Sequence, residues 1–105
     1  MAELILLKIK NLRDESINPN INVPRAIKSN LIYLTCLYNE YYMRKSNCLM
    51  LTNQIDKLLV QLIIKFSSNT IPDSIVHNFS DIIIMYLEQK VHEKKDINDL
   101  SNIFG

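Results

Sequence analysis

The fold is decided by residues 25 to 66, RAIKSNLIYLTCLYNEYYMRKSNCLMLTNQIDKLLVQLIIKF, a stretch with neither proline nor glycine. Steps of four and three from Ile27 land on Leu31, Leu34, Tyr38, Tyr41, Lys45, Cys48, Thr52, Ile55, Leu59, Leu62 and Phe66, apolar everywhere except Lys45 and Thr52. An α-helix returns to the same face at that spacing, so the stretch is predicted to be helical. Polar residues at Arg44 to Asn47 interrupt the stripe without a helix breaker, and near-continuity is the favoured expectation over two helices. A second face is apolar too, through Ile32, Leu37, Leu49, Leu51, Leu58, Ile63 and Ile64. A helix that is apolar on two sides is normally buried on two sides.

Outward from this stretch the elements remain helical. Pro24 sits where a helix starts easily, because its missing N–H has no intrahelical partner there. Upstream, Leu4 to Leu7, Ile9 and Leu12 predict a short helix over Ala2 to Arg13, although the run Leu4 to Leu7 alone also fits a buried strand. Asp14 to Asn22, rich in Asn and holding Pro19, reads as a loop. Downstream, Ser67 to Asn69 end the long segment. Pro72-Asp73-Ser74 restarts a helix, with Asp73 or Ser74 as cap, and it is expected to run to about Lys94. Residues 1–95 are thus expected to form a helical domain and 96–105 a polar C-terminal tail. The predicted fold is all-α, a small bundle of about four helices dominated by one long or broken central helix, with no β domain.

Composition narrows function. The single glycine, Gly105, argues against hairpin-rich folds, P-loops and dinucleotide fingerprints, all of which need backbone that only glycine supplies easily. With 48% hydrophobic and 22% charged residues the chain lies far from the disordered class. A net charge of +1 creates no general field for a polyanion. The opening MAELILLKIK lacks a basic start and a cleavage site, and no run approaches the roughly 18 apolar residues of a membrane span. Two cysteines, Cys36 and Cys48, make no disulfide framework, which suits an intracellular compartment, and their apolar neighbours suggest core packing.

No residue pattern suggests chemistry. His77 and His92 lack a companion at metal-binding spacing, and the carboxylates are scattered singly at Glu40, Asp56, Asp81, Glu88 and Glu93. No catalytic residue, metal or cofactor is expected. Arg44 and Lys45, with Lys90, Lys94 and Lys95, are candidate phosphate contacts, though short basic groups more often keep helix ends solvated. The candidates for a protein interface are Ile27, Leu31, Leu34, Tyr38, Tyr41, Tyr42, Arg44, Cys48, Leu49 and Ile55, because a chain this short struggles to cover both apolar faces.

Around Arg44 the sequence resembles subunit one of the GINS complex, whose members carry Arg-x-x-Arg-Cys-Leu-Leu-Ala-Tyr; Arg44, Cys48 and Leu49 match in register. An A-x-E-L-I-like start at Ala2 to Ile5, Ile71-Pro72 before the last helix, and Asp96-Ile97-Asn98-Asp99-Leu100 after it follow in the same order. Asn47, Thr52 and Asp56 depart from the family's Arg, Tyr and Arg, and so put in doubt the ion pairs and hydrogen bonds that those residues would make. The resemblance implies a nuclear, non-catalytic scaffold subunit of a hetero-oligomer that supports the replicative helicase in DNA replication and is linked to DNA polymerase. The family's small β domain is expected to be missing. Direct nucleic-acid contact is unlike that role; a self-sufficient nucleic-acid-binding helical protein using the basic clusters is the alternative.

Overall fold

The computed structural model describes residues 1–44 and 48–104, with side chains as far as His92. The described residues form four helices and no strand: α1 (Ala2–Ile17), α2 (Arg25–Arg44), α3 (Leu49–Ser68) and α4 (Asp73–Phe104). The all-α expectation therefore holds, including helix rather than strand at Leu4 to Leu7.

Each helix buries the same four-three-four ladder. The rungs are Ile5, Ile9, Leu12 and Ser16 in α1; Ile27, Leu31, Leu34 and Tyr38 in α2; Leu51, Ile55, Leu58 and Leu62 in α3; and Ile75, Phe79, Ile82 and Tyr86 in α4. Side chains at this spacing stack along one edge of a helix, so four edges converge on a single core. Leu6, Val23, Leu37, Leu59 and Ile71 complete it. Two polar residues are buried without loss of hydrogen bonds: Ser16 Oγ donates to the carbonyl of Arg13 at 2.7 Å, and Thr35 Oγ1 to that of Leu31 at 2.8 Å.

The favoured near-continuous helix across residues 25–66 is not what the chain forms. Helix α2 ends at Arg44, Cys48 stands in extended conformation before α3, and the two helices pack against each other, so the chain folds back between them. The intervening segment, residues 45–48, is close to one helical turn in length. Four residues are about one helical repeat, so the four-three spacing of the sequence runs on from α2 into α3 and the pattern reads as unbroken. Consequently no central helix dominates; α2 and α3 have 20 residues each, and the longest element is α4, with 32.

Two boundaries also move, and one cap differs. Helix α1 runs past Arg13 to Ile17, since Pro19 rather than the acidic pair Asp14-Glu15 stops it. At the start of α4, Pro72 offers its carbonyl to the N–H groups of Ile75 and Val76, while the Ser74 hydroxyl donates to Glu15 rather than capping its own helix. Finally, α4 does not stop near Lys94; helix continues to Phe104 through the segment expected to be a tail. No proline or glycine stands between Asp73 and Gly105 to end it sooner.

The helices alternate in direction. Glu15 near the end of α1 accepts hydrogen bonds from Ser74 Oγ at 3.1 Å and Asn78 Nδ2 at 2.9 Å, at the beginning of α4. Phe66 late in α3 stacks on Phe79 of α4 at 4.4 Å, and Asp56 earlier in α3 meets Tyr86 and Lys90 further along α4. Both pairs are therefore antiparallel. Around the bundle, α1–α2, α2–α3 and α1–α4 are close backbone neighbours, whereas α3 and α4 hardly approach within 8 Å between Cα atoms. One side of the ring is left splayed.

Candidate protein-interaction surface

The splayed side is joined at two places. At one, the rings of Phe66 and Phe79 lie face to face, 4.4 Å between centroids and 4° from parallel. At the other, Tyr86 Oη donates to Asp56 Oδ1 at 2.6 Å, and Lys90 forms an ion pair with Asp56 while its Nζ stands 5.1 Å above the Tyr86 ring. Burial pushes the Tyr86 phenol above its ordinary range, and the hydrogen bond to the Asp56 carboxylate pushes it the same way, because an ionised phenol would face that charge. From α2, Tyr38 Oη donates to Gln89 Oε1 at 2.8 Å, and its ring meets that of Tyr86 edge-on. Three helices are thus fastened at one level.

Between and outside these joints the surface is apolar. A cavity of about 450 Å³ opens between α3 and α4, lined by Ile63, Phe66 and Ser67 on one side and Val76, Phe79, Ser80, Ile83 and Ile84 on the other. A second, shallower concavity follows along α4 over Ile84, Leu87, Glu88, Val91 and His92, so that Ile84 belongs to both. Ile84, Leu87 and Val91 are 54%, 55% and 66% exposed, and across the groove Ile63 is exposed, with Val60 and Ile64 exposed elsewhere on α3. On α4 the strip from Val76 to Val91 extends about 22 Å at 1.5 Å per residue. Scattered exposed apolar residues are ordinary, but a continuous groove of them marks a place where another surface packs.

The sequence-derived interface residues mostly lie elsewhere. Ile27, Leu31, Leu34, Tyr38 and Ile55 are in the chain's own core, and Tyr41 and Cys48 are half-buried against it. Tyr42, Arg44 and Leu49 are exposed, near the junction of α2 and α3 rather than on the groove between Ile63 and Ile84. The stripe through Ile27 is thus largely inside the bundle, joined there by Leu37, Leu51 and Leu58 of the second apolar face, whose other members, Ile32, Leu49, Ile63 and Ile64, reach the surface. The α4 half of the groove was missed. Its signal was present in Val76, Ile83, Ile84, Leu87 and Val91, apolar residues beyond the four that the core ladder needs.

Among the candidate phosphate contacts, Arg44 donates to Glu40 Oε1 at 2.8 Å, and that carboxylate raises the guanidinium pKa further. Lys90 is held by Asp56. Lys45 and the side chains of Lys94 and Lys95 lie outside the described residues. Cys36, expected in the core, is exposed, on the side of α2 away from the ladder. His77 is also exposed, with Nε2 at 3.7 Å from Asp81 Oδ2. Among the described residues no three His, Cys, Asp or Glu side chains gather as a metal site, and no helix is long and apolar enough to cross a membrane. Compared with known protein families, with curated proteins and with solved structures, the chain matches none.

Proposed function

We propose that this chain is a non-catalytic interaction subunit, holding other proteins in a hetero-oligomer through the apolar face between α3 and α4. The observation that carries the reading is the coexistence of a complete internal core with a second, exposed apolar groove between Ile63 and Ile84. A bundle that already closes on its own ladder gains nothing in stability from Ile84, Leu87 and Val91 left in water. Burial against a partner supplies the missing reason. The resemblance around Arg44, Cys48 and Leu49 suggests which assembly, a GINS-like scaffold of the nuclear replication machinery, with helicase and polymerase as indirect partners.

Purification of the affinity-tagged chain from its own cells, followed by mass spectrometry, tests both levels. The proposal expects stoichiometric co-purification of other proteins, with the remaining GINS subunits among them. Other stoichiometric partners would remove the GINS assignment and leave the scaffold role; a chain recovered alone as a stable monomer would remove the scaffold role as well. The nucleic-acid alternative draws less support, since Arg44 and Lys90 are each engaged by a carboxylate. It requires binding that falls steeply with salt.

A further inference from the structure

Resting on that reading, we infer that the α3–α4 groove receives one amphipathic helix of a partner protein, of about four turns, with Lys or Arg on the flank that borders α4. Length comes first. The two concavities share Ile84 and form one strip from Val76 to Val91, about 22 Å, which matches a helix of about 15 residues at 1.5 Å each. Shape agrees: over the first concavity α3 and α4 form two walls with the stacked Phe66 and Phe79 rings between them, and α4 alone continues the strip through Leu87 and Val91, so that together they accept apolar residues presented at i, i+3 or i+4, and i+7. The small residues Ser67 and Ser80, one on each helix, line the cavity and leave room for a larger incoming side chain.

Charge selects the flank. At 100° per residue, the strip on α4 is bordered on its α1 side by His77, Asp81, Glu88 and His92. Glu88 and His92 line the second concavity, on α4, whereas Asp81 faces a small polar pocket with Lys8, Asn11 and Asn78. On this border the Asp81 and Glu88 carboxylates outnumber the one ammonium beside them, Lys8 near Asp81, so a cationic flank is favoured there. On the α3 side, Lys90 is already held by Asp56. These charges argue against a second copy of this chain as the occupant. Its own α4 strip is bordered by the same Asp81 and Glu88 and brings no cation to them.

Two synthetic 15-residue helical peptides with an identical leucine face, one flanked by Lys and one by Glu, test this by fluorescence anisotropy against the full chain at low salt. The Lys-flanked peptide is expected to bind roughly tenfold more tightly. Asp81→Lys/Glu88→Lys should reverse that preference, and Ile84→Glu or, independently, Leu87→Gln should abolish binding while helicity by circular dichroism is unchanged. Equal affinities, binding that survives both groove substitutions, no binding of either peptide, or a homodimer that Ile84→Glu dissociates would each overturn the inference. Its failure is separable from failure of the scaffold reading: if tagged wild-type and Ile84→Glu chains bring down the same stoichiometric partners, the assembly stands and the groove is not its contact.

Discussion

Asp56 is the residue on which α3 and α4 depend most for a polar connection, because it accepts from Tyr86 Oη and pairs with Lys90. Tyr86→Phe keeps the ring and removes the hydroxyl, so it should cost about 1 to 2 kcal/mol in urea unfolding, a partly exposed acceptor lowering the range for charged hydrogen bonds. The same residue sets a response to alkali. Its phenol is raised in the folded state above the ordinary value near 10, so the unfolded chain ionises first. Stability is then complete below about pH 10 and declines as pH rises above it, toward the folded value. In Tyr86→Phe that decline should be smaller, as read from denaturant midpoints at pH 8 and pH 10.5. By contrast, the exposed pairs Arg13–Asp14 and Glu40–Arg44 are screened by solvent, and Glu40→Ala should leave the midpoint nearly unchanged.

The ladders belong to the scale of elements. Ile27, Leu31 and Leu34 in α2 and Ile55 and Leu62 in α3 are at most 1% exposed, so Leu34→Ala or Leu62→Ala should cost about 2 to 5 kcal/mol, through lost burial and the cavity left behind. Substitution at Leu87 or Val91, on the outer strip, should change folding stability by less than about 0.5 kcal/mol. That contrast distinguishes a core ladder from an interface strip of similar composition. It also explains which parts of the fold were readable. Periodicity identified helix in the body of each element, since a four-three step has no other structural meaning over such lengths, but not at the end of α1 or of α4. It did not reveal the reversal after Arg44, because the four-three spacing runs on through residues 45–48, nor did it say which of two apolar faces would turn inward. Inward orientation is chosen by the other three helices, and no single helix's sequence contains that choice. The continuation of α4 to Phe104 is legible in the absence of a breaker, since polar residues after Lys94 do not by themselves end a helix.

For the whole molecule, the bundle is asymmetric: three helix pairs around the ring are close and the fourth, α3–α4, is splayed. The longest helix, α4, forms one wall of the open side. This arrangement gives the isolated chain an apolar groove in water, so it is expected to form heterogeneous aggregates rather than a discrete dimer as concentration rises, with Ile84→Glu reducing that aggregation in light scattering. The most direct test of the central claim is the composition of the native assembly. Affinity purification of the tagged chain, with the mass of the recovered particle measured by light scattering, should give a hetero-oligomer containing other proteins in fixed proportion, and Ile84→Glu should release them while the bundle stays folded. A monodisperse monomer from the wild-type chain, with a cooperative thermal transition and no partner, would contradict it.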